Sequence, residues 1–209
     1  MMSIPWKYWS ENMSKIIKPG AGIIYMKVGT HAQETLDDII SRKTKEIEQT
    51  GFAFWGYGGG TCHPETMVQP FAKDYAERGQ TIYLCMQEME SKHFAYPVRA
   101  DEYSIDGIRW ETIPATINVL GSRYALAIKD LQKEDLELPL DATKVALGNS
   151  IGAIGSNYIR GKVDKACLEV GVESAEGESH SGGTEKILHI GLVAKVVPPY
   201  AVYVRNSVK

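Results

Sequence analysis

A chain of 209 residues, 44% apolar, 23% charged and 9% aromatic, has the composition of a folded globular protein rather than a disordered or fibrous one. Its length suffices to bury a core without covalent staples. Its net charge of −3 provides no whole-molecule attraction to long nucleic acid or to an anionic membrane surface.

Three cysteines occur, Cys62, Cys85 and Cys167, with no CxxC spacing among them. That pattern argues against a disulfide framework and a zinc ribbon, and reduced thiols point to the cytoplasm. No apolar run approaches the ~20 residues that span a bilayer. The first residues, 1–20, carry Trp6, Tyr8 and Trp9 among polar and charged residues. They lack the continuous apolar stretch of a secretory signal and read as an arm or helix laid against one domain spanning 21–209.

Pro19–Gly20 breaks the arm. Ala21 to Val28 is an apolar run of strand length, closed by Gly29. Gln33 to Gln49 then places Leu36, Ile39, Ile40 and Ile47 on one stripe, which predicts an amphipathic helix. Thr30 is its expected N-cap and Gly51 its expected stop. Phe52 to Trp55 reads as a second buried strand. Pro64 suits the first turn of a helix reaching about Arg78, with Met67, Val68, Phe71 and Tyr75 inward and Pro70 kinking it or delaying its start. Gly79 ends that helix, and Thr81 to Met86 is a third strand. Short connections between alternating elements predict an N-terminal β-α-β-α-β unit with a mostly parallel sheet.

The second half is expected to be a more irregular, partly antiparallel sheet. Glu88 to Asp106 reads as a polar loop, Arg123 to Lys129 and Thr143 to Leu147 as strands, and Leu131 to Leu138 as a short helix. Gly148 to Gly161 and Gly171 to Gly183 are loops rich in Gly, Ser and Asn. Ile187 to Val197 is a final strand stopped by Pro198–Pro199. The fold class is therefore α/β, in one domain. Its first half resembles the architecture of doubly wound nucleotide-binding folds, and architecture alone does not fix function.

The chemistry concentrates in the segment after the second strand, Gly56-Tyr57-Gly58-Gly59-Gly60-Thr61-Cys62-His63. Glycines between a strand and a helix start let the backbone approach an anion and present free N–H groups to it. Thr61 and His63 add side-chain donors. Trp55 and Tyr57 are candidates to stack on a base. The spacing departs from the dinucleotide fingerprint GxGxxG, because Thr61 stands where its last glycine falls, and no GK[ST] follows as in a P-loop. Tight packing at a strand–helix turn is the plainer explanation of such glycines.

His31 follows the first strand as His63 follows the second. In a parallel sheet both lie at the C-terminal edge, where open α/β sheets hold ligands. Lys92, His93 and Arg99 follow the third strand and can reach the same edge to hold a phosphate or carboxylate. Glu88 stands just past that strand, where an acid can meet a ribose. The triplets His31-Ala32-Gln33 and His63-Pro64-Glu65 fail the H-x-[ST] pattern of a paired-histidine phosphoesterase. Neither HExxH nor HxH occurs. No catalytic set, metal site or cofactor is assigned.

The leading expectation is a binding protein for a small anionic ligand, a phosphate-bearing nucleotide such as a cyclic or signalling one. Its ligand contacts would be Trp55, Tyr57, Gly58, Gly59, Gly60, Thr61, His63, His31, Lys92, His93 and Arg99. It would have no long nucleic acid or membrane partner, and a homo-oligomer is the default assembly. An enzyme on the same site, a hydrolase or phosphodiesterase or a Rossmann-like nucleotide enzyme, is the alternative. A structural or interaction protein using Trp6 and Trp9 is the third.

Overall fold

The structure is a computed structural model that describes residues 16–58, 64–92, 98–159, 163–171 and 187–207. Strand β1, Gly22–Thr30, is buried on both faces, which is why its sequence reads as a continuous apolar run. Ile24, Met26 and Val28 enter one core cluster and Ile23 and Tyr25 another.

Thr30 is not the cap of the following helix. It stays in β1, paired with Lys92. His31 to Glu34 then form a tight turn closed by reciprocal backbone hydrogen bonds of 3.0 and 2.9 Å. Ala32 and Gln33 hold φ of 54° and 66°, the pair of left-handed residues that a type I′ turn requires. Helix α1, Leu36–Thr50, is capped by Thr35. The Thr35 Oγ1 accepts from the Asp38 N–H at 3.2 Å, and Asp38 Oδ2 accepts from the Thr35 N–H at 3.1 Å. Thr30 is held in the β1 ladder by its pairing with Lys92, which leaves Thr35 to form this reciprocal box. Gly51, with φ of 85°, ends the helix as expected.

Strand β2, Ala53–Gly56, follows. Past the glycine-rich segment come a π-helical turn, Pro64–Val68, and helix α2, Gln69–Glu77. Pro70 lies in the first turn of α2, so it delays the helix rather than kinking it. Strand β3, Ile82–Lys92, runs parallel to β1 from Gly22↔Ile82 to Thr30↔Lys92. Its second half, including Glu88, was expected to be loop.

The remaining strands are β4, Glu102–Ser104; β5, Glu111–Thr112; β6, Tyr124–Pro139; β7, Thr143–Val145; β8, Lys165–Val170; and β9, Ile187–Arg205. A single helical turn, α3, Gly155–Tyr158, precedes β8. One mixed sheet has the order β2-β6-β9-β3-β1-β8-β7, with β4 and β5 off that path.

This order overturns the expected parallel β-α-β-α-β unit. Among the described residues only β1 and β3 pair in parallel, and every other ladder is antiparallel. β2 sits at the sheet edge, and β6, β9 and β3 separate it from β1. The long β6 and β9 pair from Tyr124↔Tyr203 to Pro139↔Ile187 and occupy the places that a doubly wound sheet gives to its early strands. Alternation of strand and helix signals along the chain carries no information about which strand a distant segment joins.

The segment Leu131 to Leu138 is also strand, not helix. The β6–β9 register shifts between Lys129 and Gln132 and again between Lys133 and Leu136. Asp130 holds a positive φ of 51° at the first shift. These bulges interrupt the two-residue alternation, so the leucine spacing imitates a helix. β9 runs on to Arg205, beyond the expected stop at Pro198–Pro199.

Helices α1 and α2 cover one face of the sheet. Ile39, Phe71 and Tyr75 pack there with Ile24, Met86, Trp55 and Leu126. The opposite face buries Ile23, Tyr25, Cys85, Leu138, Leu168 and Ile190. A third cluster joins Phe54 of β2 to Ala100, Ile113, Ile117 and Val119. No helix among the described residues is long and apolar enough to cross a membrane.

Candidate functional site

The exit from β2 is the starting point. Trp55 pairs with Leu126 and Gly56 with Ala125. The Tyr57 N–H donates to the Tyr124 carbonyl at 2.8 Å. Residues 55 and 57 share one face of an extended chain, and that face is the helix-covered core. Trp55 and Tyr57 are accordingly only 5% and 1% exposed. Neither aromatic presents a face for a base to stack on.

The two described glycines have separate physical reasons. At Gly56 a Cβ would run into Ser122 Oγ, so the residue is fixed by close approach. At Gly58 the backbone holds φ of 70°, and a Cβ would stand 3.3 Å from Lys165 Nζ. That ammonium lies 5.3 Å from the centroid of the Tyr57 ring, a cation–π distance.

A chain of contacts links this exit to the end of β1. Ser122 Oγ lies 3.5 Å from the Leu120 carbonyl oxygen. The same carbonyl lies 3.1 Å from His31 Nε2. A carbonyl only accepts, so Nε2 carries the proton in this tautomer, assigned from the hydrogen-bond geometry. On the other side, Ser91 Oγ donates to the Thr30 carbonyl at 2.9 Å, and Thr30 pairs with Lys92. Arg99 forms an isolated bridge with Leu120. The segment Leu120-Gly121-Ser122 thus joins the β1 and β2 exits, although the two strands are not neighbours.

A buried charge network pins the approach to that segment. Lys43 and Glu46 of α1 are 3% and 2% exposed, with Lys43 Nζ 2.8 Å from Glu46 Oε2. The Asn118 carbonyl accepts from Lys43 Nζ at 2.6 Å and from Arg42 at 2.9 Å. The Asn118 N–H donates to Glu46 Oε1 at 3.1 Å. Arg42 also binds both oxygens of Glu34, at 2.9 and 2.5 Å. Burial lowers the Lys43 pKa to about 8, against the opposing pull of Glu46.

Of the expected contacts, His31, Tyr57 and Gly58 belong to this contact chain, and Trp55 lies beside it. Lys92 enters through its backbone. Arg99 turns its guanidinium elsewhere: one terminal nitrogen donates to the carbonyls of Ile117 at 2.8 Å and Pro114 at 3.1 Å, closing that turn. Gly59, Gly60, Thr61, His63 and His93, and with them Cys62, lie outside the described residues. Cys85 and Cys167 are buried, and burial alone pushes the Cys85 thiol up. No group of three or more metal-binding side chains occurs among the described residues.

Sequence reasoning missed Ser122 and Lys165. Gly121–Ser122 is a turn signal before β6, but nothing local says that it meets Gly56. Lys165 opens a strand that the sequence pattern did not mark. No family model matches the chain, and no curated protein or solved structure compared with it matches either.

Proposed function

We propose that the chain binds a small phosphate-bearing ligand, a nucleotide, at the glycine-rich exit of β2. The observation that carries this reading is the close approach of Gly56 to Ser122, with Leu120 tied to His31 and a left-handed Gly58 two residues on beside Lys165. Gly58 keeps the start of the loop free of a side chain in a left-handed conformation. Such backbone presents N–H groups to an anion that a Cβ would hold away.

Recognition on this reading is by backbone and polar groups around the phosphate. The base does not stack on Tyr57, which is buried. His31 acts through Leu120, holding the Leu120–Ser122 segment, and takes no part in bond breaking. The ligand is held and released unchanged.

The test is a thermal-shift panel of AMP, ADP, ATP, cyclic AMP and cyclic GMP, with mass spectrometry of each nucleotide afterwards. The reading predicts a concentration-dependent rise in Tm, because a ligand specific to the folded state stabilises by mass action, and recovery of the intact nucleotide. A nucleotide chemically altered by the wild-type protein would replace the binder with an enzyme. No shift across the panel would overturn the proposal.

A further inference from the structure

We infer that Lys165 is the charge-bearing contact of this site and that it makes the site selective for the phosphate group of the ligand. The inference rests on the proposed reading of the glycine-rich exit and adds a residue and a selectivity to it.

Lys165 is the first residue of β8 and pairs with Met26. Strand alternation puts it on the same face as Cys167, which belongs to the helix-side cluster. Its side chain therefore rises on the Tyr57 side of the sheet. The neighbouring acid faces another lysine: the Asp164 carboxylate approaches Lys27 Nζ at 3.9 Å, and the Asp164 backbone carbonyl accepts from the Lys27 N–H at 2.9 Å. Lys27 is one residue from Met26, hence on the other face. No carboxylate among the described residues forms an ion pair with Lys165.

The ammonium instead stands over the Tyr57 ring and beside Gly58. An aromatic ring compensates a lysine charge only in part. At Gly58 any other residue would set a Cβ 3.3 Å from Nζ, so glycine lets the ammonium lie close to the backbone there. A phosphate reaching Nζ meets a compact, rotatable three-donor cation beside Gly58. That is how lysine contributes to phosphate sites, as a point charge rather than a planar fork. A neutral nucleoside gains nothing from it.

The experiment is calorimetric titration of wild type, Lys165→Met and Lys165→Arg with inorganic pyrophosphate, ADP and adenosine. Methionine keeps the packing on Tyr57 and removes the charge; arginine keeps the charge. The expected result is that wild type binds pyrophosphate and ADP but not adenosine. Lys165→Met should weaken both anions by about tenfold or more, the scale of one lost charge-assisted contact, while Lys165→Arg retains most of the affinity. Equal ADP affinity in wild type and Lys165→Met would overturn the role of Lys165 and leave the nucleotide reading standing. Binding of adenosine as tight as ADP would overturn the phosphate selectivity. Wild type that binds none of the three would overturn this inference together with the reading beneath it.

Discussion

The imidazole of His31 donates from Nε2 to the carbonyl oxygen of Leu120 across 3.1 Å, joining residues 89 positions apart. Through that carbonyl and Ser122 the turn after β1 is tied to the exit of β2. Removing one such hydrogen bond costs about 1 kcal/mol. His31→Ala should therefore lower stability only modestly. It should increase amide exchange at Gly121 and Ser122 more than at Leu84 in the middle of β3. Hydrogen exchange read by NMR checks both, and unchanged protection at residues 121–122 would break the proposed tie.

Gly56 faces Ser122 at a distance that admits no Cβ. Gly56→Ala should destabilise by about 1–3 kcal/mol, the range for overpacking a close contact. Because the obstruction is the Ser122 hydroxyl, Ser122→Ala should recover part of that loss in the double variant. Urea denaturation of the four members of the cycle gives the coupling directly. Additive losses would mean that some other contact dictates glycine at position 56.

Lys43 gives the fold a specific pH signature. Burial holds its folded-state pKa at about 8, below the ordinary lysine value of 10.5. Between those values the unfolded chain keeps a proton that the folded chain has released, so this group makes stability rise with pH across that window. Below about 8 both states are protonated and its contribution is constant. Lys43→Met should abolish the rise. The checking measurement is the difference in urea midpoint between wild type and variant at pH 7 and at pH 10, in which the titrations common to both cancel. A difference that does not change with pH would refute the shifted lysine.

Arg99 closes the turn at residues 114–117 through backbone carbonyls. Arg99→Ala should lose about 1 kcal/mol of stability and leave ADP affinity within about twofold. Chemical denaturation and calorimetry separate the two effects. A large loss of affinity with intact stability would restore Arg99 to the ligand contacts.

Much of the local structure is legible in the sequence. The apolar run at 21–28 marks β1, the 36–47 stripe marks α1, and Gly51 ends that helix. What the sequence leaves open is pairing. β1 and β3 pair in parallel, but β2 is carried to the far edge by antiparallel pairing with β6, which breaks the expected parallel unit. That choice depends on strands that follow it in the chain by more than 60 residues, and no local pattern encodes it. The misread helix at 131–138 arises from two register shifts that disturb the alternation in β6. Of the candidate site, His31 and Gly58 stand out in the sequence from their positions beside a strand end and within the glycine run, while Tyr57, expected to stack on a base, is buried. The burial of Trp55 and Tyr57 was legible in principle, since residues two apart in a strand share a face. Ser122 and Lys165 were not, because each reaches the site only through tertiary contact.

The most direct test of the account is a backbone 1H–15N titration of the wild-type protein with ADP. It predicts that saturable shifts concentrate at Gly58, at Gly121 and Ser122, and at Lys165. Shifts confined to another surface, such as the hairpin between β4 and β5, or a spectrum that ADP leaves unchanged, would contradict a phosphate site at the exit of β2.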